Sequence, residues 1–226
     1  FLGGAGVSTA SGIPDFRSAT GLYNQLTGSR FTPETMLSHH FFMRHPDEFY
    51  AFLRTSLYYP DAKPNAAHYA LAEMEKQGKL KAVITQNIDG LHQLAGSKVV
   101  HELHGSLERF YCMRCQHAFP AEQVYAQDTT PHCEVCGGLV RPDVVLYGEA
   151  LDPEVFNASV AAVRQADCLI VGGSSLVVYP AAGLLDYFRG NCLILINRDP
   201  TPYDSQAQFF FHGDIGEVLT EISPKD

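Results

Sequence analysis

The chain has 226 residues, of which 46% are hydrophobic and 18% charged, a balance that suits one large globular domain or one domain with a small insert. Its formal net charge of −9 argues against general binding to nucleic acid, which needs a basic surface. No apolar run reaches the ~18 residues of a membrane span. The chain opens on Phe1 and not Met, so any targeting segment is expected upstream; the expected compartment is the cytoplasm.

In chain order, FLGG (1–4) reads as a buried strand that runs into Gly3-Gly4-Ala5-Gly6. The dinucleotide fingerprint G-x-G-x-x-G would place its third glycine at position 9, where Thr9 stands instead. A long loop follows through Gly12, Pro14, Asp15, Phe16 and Arg17, and residues 23–60 are aromatic-rich with broken helical patterning. NAAHYALAEMEKQG (65–78) reads as a helix opened by a capping residue and closed by Gly78. KAVITQN (81–87) and KVVHELHG (98–105) read as strands, and residues 107–141 carry four cysteines. DVVLYG (143–148), CLIVGGSS (168–175) and CLILIN (192–197) read as further strands, with a helix at PEVFNASVAAVRQA (153–166). Short buried runs alternating with helices predict an α/β class: a doubly wound, Rossmann-like parallel sheet. The two irregular stretches read as a small inserted domain made of a helical module (23–61) and a cysteine-bearing ribbon (107–141). The α/β domain then comprises 1–22, 62–106 and 142–226.

Cys112, Cys115, Cys133 and Cys136 form C-x2-C-x17-C-x2-C. Two disulfides are one reading, but a chain of this size needs no such staples, and the spacing is that of a zinc ribbon. Four thiolates complete a tetrahedron, so zinc here would be structural, with His117 and His132 as bystanders. Cys168 and Cys192 lie in apolar runs and are expected to be core thiols.

Small or polar residues fall at five strand ends: the opening glycines, TQNIDG (85–90), HELHG (101–105), GGSS (172–175) and NRD (197–199). In a doubly wound sheet these ends converge on one crevice. Together they point to a large ligand with many polar groups, such as a dinucleotide, although TQNIDG alone would be read as an Asn/Asp turn bonding its own backbone.

GAGVSTASGIPDFRS, TQNIDGLH, the His-Gly of HELHG, the double C-x2-C, GSS and NRD occur together in this order, and the chain thereby resembles the sirtuins, NAD-dependent protein deacylases. The resemblance covers essentially the whole chain and looks closest to bacterial and mitochondrial-type members. Gly3 departs from it, since most relatives carry Thr there.

The resemblance implies that an acyl-lysine oxygen attacks the nicotinamide-bearing ribose carbon of NAD, nicotinamide leaves, and a base then deprotonates a ribose hydroxyl. The products are lysine and O-acyl-ADP-ribose. His104 matches the base, a role suited to histidine near neutral pH, whereas His101 is expected to be structural. Asn87 orients ribose and water. Gly4, Ala5 and Gly6 present backbone N–H groups to the pyrophosphate. Thr9, Phe16 and Arg17 belong to the loop that folds over NAD, Phe16 shielding the reacting carbon and Arg17 holding phosphate or ribose oxygens. Asp15 either pins that loop or touches the ligand. Gln86, Ile88 and Asp89 complete the nicotinamide-ribose side, and Ser174, Ser175, Asn197, Asp214 and Ile215 the adenosine side. Acyl-lysine peptide is expected as an extended strand between Val144, Tyr147, Gly148 and Glu149 on one side and Leu176 and Val177 on the other, a mode that reads backbone more than side chains. Tyr147 either lines the acyl-lysine tunnel or is core. The expected partners are therefore NAD and acyl-lysine proteins, with no specific nucleic acid and no membrane.

Sirtuins that prefer succinyl- or malonyl-lysine carry Tyr and Arg three residues apart on a helix. Here Tyr50 is followed by Leu53, with Arg54 one place later, so neutral acyl groups are expected to be favoured; Phe49, Tyr50, Phe52 and Leu53 otherwise read as core. The same motifs leave open a mono-ADP-ribosyltransferase or a deacylase preferring longer acyl chains. A nicotinamide dehydrogenase would keep the third glycine, and a nucleic-acid-binding ribbon would need more basic residues than Arg109, Arg114 and Arg141 supply against Glu108, Glu122, Asp128 and Glu134.

Overall fold

Six short strands pair in parallel in a computed structural model of the chain, which describes all residues except 17, 19, 20, 26–29 and 224–226. They are β1 (Leu2–Gly3), β2 (Val83–Thr85), β3 (Val100–Glu102), β7 (Cys168–Gly172), β8 (Cys192–Asn197) and β9 (Phe209–His212), in the order β3-β2-β1-β7-β8-β9. Leu2, Val83, Ile84, Val171 and Leu195 are almost wholly buried, because helices cover both faces of the sheet and leave no strand face for polar side chains. The order reverses at β1, whose neighbours are β2 and β7. A doubly wound sheet opens its ligand crevice at that point, outside the carboxyl ends of the strands.

The helices that cover the sheet start where capping chemistry dictates. Asn65 accepts from the Ala67 N–H at 2.9 Å and His68 Nδ1 accepts from the Asn65 N–H at 3.2 Å, a reciprocal cap on Ala66–Lys76. Asp152 caps Pro153–Gln165 and Asp214 caps Ile215–Ile222 more simply, each carboxylate accepting from two N–H groups of the first turn.

A second, antiparallel sheet carries the cysteines, with β4 (Gly105–Cys112) between β5 (Ala118–Pro120) and β6 (Val140–Val144). The helices Pro33–Met36, His39–Arg44 and Pro46–Phe52 pack on it, and Phe42, Phe49, Tyr50, Leu53, Phe110 and Val140 belong to one buried cluster. The helical module and the cysteine ribbon therefore share a single core, although they are far apart in sequence. Leu53 is fully buried in it. The Tyr50 hydroxyl donates to the Val140 carbonyl at 2.7 Å, and the Arg54 guanidinium donates to the carbonyls of Asp128 and Thr129 while resting over the Tyr50 ring. This aromatic helix is thus core.

Three expectations are corrected. DVVLYG (143–148) does not enter the parallel sheet: β6 ends at Val144 and belongs to the antiparallel one. KVVHELHG divides into β3 and the start of β4, because the chain changes sheets at Leu103–His104. Cys168 is exposed and Cys192 only half-buried, because both stand at the open amino ends of their strands, so neither is a core thiol.

His68 and His92 are buried side by side, with ring centroids 4.8 Å apart. Burial pushes the His68 imidazole down to about 4, against a partial upward pull from Asp89. Burial also lowers His92 to about 3, with His68 adding to the fall. Both are neutral in the fold at pH 7 and take up protons more readily once unfolded. The stability they permit is complete above the ordinary histidine value of about 6.5 and is lost as pH falls toward 4 and 3, at roughly 1.4 kcal/mol per pH unit for each ring. Denaturant melts between pH 7 and pH 5 are expected to show this loss, and His92→Gln to reduce its slope. An unchanged slope in that variant would contradict the assignment.

Candidate active site

The carboxyl ends of β1, β2, β7 and β8 surround a cleft of about 450 Å³, closed from the other side by residues 144–149 and by Ser56, Leu57 and Tyr59 of the helical module. The first wall is the turn after β1. The Gly6 N–H donates to the Gly173 carbonyl at 2.8 Å and the Gly4 N–H to the Gly172 carbonyl at 3.2 Å. A Cβ on Gly6 would stand 2.7 Å from the Gly173 Cα, so only glycine allows the turn to lie on the end of β7. This corrects the expected role of Gly4 and Gly6, whose N–H groups are spent on β7 and not turned toward a pyrophosphate. Ala5 lines the cleft between them. Thr9 Oγ1 donates to the Gly6 carbonyl at 3.0 Å and tightens the same turn.

Asp15 Oδ1 accepts from the Ser18 N–H at 2.9 Å, so it braces the loop while also lining the cleft. Phe16 is half-buried at the cleft wall, packed edge-on against Tyr23. Arg17 lies outside the described residues.

The residues after β2 supply the densest polar cluster. Ser8 Oγ donates to Asp89 Oδ2 at 2.6 Å and accepts from Asn87 Nδ2 at 3.0 Å. Asp89 Oδ1 accepts from the Leu91 N–H and the Asn87 N–H donates to Thr85 Oγ1, so the turn does bond its own backbone, while Asn87 and Asp89 still line the cleft. Gln86 Nε2 reaches across the switch point to Ser174 Oγ at 3.0 Å. The Ile88 carbonyl accepts from the Leu107 N–H at 2.9 Å, and its side chain packs toward the core of the insert. Ser8 was not singled out in the sequence, although its place two residues after the GGAG turn was a signal.

His104 stands between β3 and β4, its ring nitrogen Nδ1 3.0 Å from the Gln86 carbonyl. A carbonyl can only accept, so Nδ1 carries the proton and Nε2 keeps a lone pair. Burial pushes this imidazole below its ordinary range, against the opposing pull of the Gln86 carbonyl, and the ring is neutral at pH 7. Gly105 has φ +75°, and a Cβ there would fall 1.9 Å from the Asp143 carbonyl oxygen, which explains the His-Gly pair. His101 lies within β3, paired with Ile84, and does not line the cleft.

On the far side, the Ser174 N–H donates to Asn197 Oδ1 at 2.9 Å. Ser174 is buried and Ser175 exposed. Asn197 Nδ2 is buried with no partner among the described residues, and Asn197 lines the cleft. Ile215 lines the cleft over Gly172. Asp214 spends Oδ1 on the Gly216 and Glu217 N–H groups.

The 144–149 segment is fixed by hydrogen bonds. The Tyr147 N–H donates to the Leu37 carbonyl and the His39 N–H to the Tyr147 carbonyl, at 2.9 and 3.0 Å. The Tyr147 side chain is exposed at the cleft, so it is not core. Val144 and Gly148 line the same wall. Glu149 takes a bidentate pair from Arg141 at 2.6 and 2.9 Å, the Leu146 N–H at 2.8 Å, and lies 2.8 Å from His39 Nδ1. Burial alone would raise this carboxyl, but these bonds override it and hold it at about 2. Leu176, expected to face peptide, is 2% exposed, with φ +55°, and packs in the core of the parallel sheet. Val177 is exposed, and Val178 and Tyr179 line the cleft in their place.

Away from the cleft, the four ribbon cysteines bring their Sγ atoms within 4.8 Å of one another, with Cys112 and Cys136 at 3.4 Å and Cys115 and Cys133 at 3.7 Å. Tetrahedral bonds of about 2.3 Å to one zinc would set sulfurs about 3.8 Å apart, so the donor set fits.

The Sir2 family pattern matches residues 4–180. An NAD-dependent protein deacetylase of Clostridium acetobutylicum is 58% identical over 223 residues, covering 98% of this chain and 91% of that protein. Among solved structures, a Sir2 with p53 peptide and NAD+ is 41% identical with a TM-score of 0.87 over 98% of this chain and 90% of that one. A Sir2 bound to acetylated peptide is 40% identical, with a TM-score of 0.85 over the same shares.

Removing the Glu149 charge leaves the Arg141 guanidinium, only 7% exposed, without its anion. Glu149→Gln is expected to cost about 1–3 kcal/mol and to raise KM for peptide more than KM for NAD. An equal rise in both would argue against a role for this carboxylate in holding peptide.

Proposed function

The chain belongs to the Sir2 family, and we propose that it is an NAD-dependent protein-lysine deacetylase, which passes the acyl group to ADP-ribose and releases nicotinamide, lysine and O-acyl-ADP-ribose. The observation that carries the reading is the His104 tautomer: a neutral ring whose Nδ1–H is held by the Gln86 carbonyl, leaving Nε2 as the proton acceptor. NAD, when bound, supplies the electrophilic ribose carbon and the nicotinamide leaving group. The chain does the rest. Asn87, held by Ser8, orients ribose and water, and Gln86 and Asp89 bound the nicotinamide-ribose side of the cleft. Asn197 offers Nδ2 to the adenosine ribose. Phe16 excludes water from the reacting carbon. Acyl-lysine peptide lies as an extended strand between residues 144–149 and 175–180, two walls that the fold holds across the cleft.

Cys112, Cys115, Cys133 and Cys136 would hold a structural zinc that pins β4 beside the ends of the ribbon. With no open position, the metal takes no part in the reaction. The cytoplasm is the proposed compartment; among the described residues no helix is long and apolar enough to cross a membrane.

Incubation with NAD and an acetyl-lysine peptide, with products identified by mass, is expected to yield free lysine peptide and O-acetyl-ADP-ribose. Transfer of ADP-ribose to protein without deacylation would replace this reading with the transferase one. His104→Ala is expected to lower turnover by about 10²–10⁴ while calorimetry still detects NAD binding, and His101→Ala to affect stability more than turnover. Because burial lowers His104, turnover is expected to hold through neutral pH and to fall only on acidification below the ordinary histidine range. Exchanged behaviour of the two variants would move the base to His101.

Metal analysis is expected to find one zinc per chain, and chelation to unfold the ribbon and abolish activity with it. Full activity after verified zinc removal would refute the structural role.

Acetyl-lysine is expected to be processed far better than succinyl-lysine, since Tyr50 and Arg54 are engaged within the insert and Leu53 is sealed in its core. A higher kcat/KM for succinyl on the same peptide would overturn this. Leu53→Arg, which buries an unpaired charge, is expected to destabilise the insert without raising succinyl turnover.

A further inference from the structure

The chain carries a second chemically competent cluster, at the opposite end of the sheet from the cleft. Cys168 opens β7 and Cys192 opens β8, and the two are direct partners in the parallel ladder. Partnered residues in such a ladder project to the same face, on strands about 4.8 Å apart, which falls within the ~4.4–6.8 Å between Cα atoms that a disulfide bridges. The backbone around them is held in place: the Asn191 N–H donates to the Asp167 carbonyl at 3.3 Å, and a Cβ on Gly190 would stand 2.4 Å from that same oxygen. The two strand entries therefore cannot drift apart without breaking this contact. Cys168 is exposed, Cys192 is half-buried, and both are free thiols.

We propose that Cys168 and Cys192 form a dithiol–disulfide couple that is oxidised by small-molecule disulfides, independently of the four ribbon cysteines. Exposure sets the order of events. The Cys168 thiolate attacks one sulfur of the small disulfide, whose S–S bond breaks and whose other half leaves as a thiol after taking up a proton. The Cys192 thiolate then attacks the Cys168 sulfur of this mixed disulfide, forms the Cys168–Cys192 bond and expels the second small thiol. Two electrons and two protons pass from the protein to the small disulfide. Although Cys168 is exposed, partial desolvation by the packing on one side pushes its thiol up, to about 11, with neighbouring Cys192 adding to the rise, so exchange at neutral pH is slow and quickens with alkalinity. The couple lies four residues of β7 below Gly172, about 13 Å at ~3.3 Å per residue, and its thiols do not line the cleft. The ribbon thiols sit in the other sheet, where bound zinc would shield them.

The test treats the zinc-loaded full chain with glutathione disulfide at pH 8.5, alkylates the remaining thiols after denaturation, and maps the peptides by mass. A peptide pair joined through Cys168 and Cys192, reversed by dithiothreitol, is expected in the wild type. Cys192→Ser is expected to stop at a stable glutathione adduct on Cys168, and Cys168→Ser to leave Cys192 free. A lasting adduct on wild-type Cys168, or both thiols recovered in alkylated form, would overturn the proposal.

Discussion

The sheet side of the cleft depends on one close backbone contact, between the turn after β1 and the end of β7. The Gly6 N–H reaches the Gly173 carbonyl at 2.8 Å, and a Cβ on Gly173 would stand 2.4 Å from the Val7 nitrogen. Two glycines are needed because two main chains meet with no room for side chains between them. The contact seats the turn on the switch point of the sheet. It thereby sets Ser8 against Asp89 and Asn87, and brings Gln86 within 3.0 Å of Ser174. Polar groups from four strands then face one space without any of them being long or flexible.

The opposite wall obeys a different constraint. Residues 144–149 belong to neither sheet along most of their length, and they keep their place through the Arg141–Glu149 pair and the backbone bonds to Leu37 and His39. Arg141 itself rests over the Phe42 and Tyr111 rings, so the charge that fixes the segment is anchored in the apolar core shared by the helical module and the ribbon. Two stretches of chain that lie far apart in the sequence are thus tied to one another through this wall of the cleft.

Much of this was legible in the amino-acid sequence. The buried runs and the capped helices at 65–78 and 153–166 implied the doubly wound sheet, and the polar strand ends marked the crevice. What could not be read was direction. A glycine in GAGV announces a close approach, but not whether its N–H turns toward a ligand or toward β7. Resemblance to the sirtuins put Leu176 against the peptide, yet a positive φ rotates it into the core. β9 (Phe209–His212) escaped notice because FFFH has no alternation: it is an edge strand with Phe209 and Phe211 exposed. Cys168 and Cys192 looked like core because their neighbours are apolar, whereas burial depends on where along the strand a residue falls.

The hydrogen bond from His104 to the Gln86 carbonyl has a consequence for how this chain can vary. The atom that fixes the tautomer of this ring, the proposed base, belongs to the main chain, and the Gln86 N–H is itself bound to the Gly3 carbonyl. No exchange of side chain at position 86 can take that acceptor away. The protonation pattern of the ring is inherited with the fold and is insulated from point substitution, while the groups that meet ligand around it remain free to change.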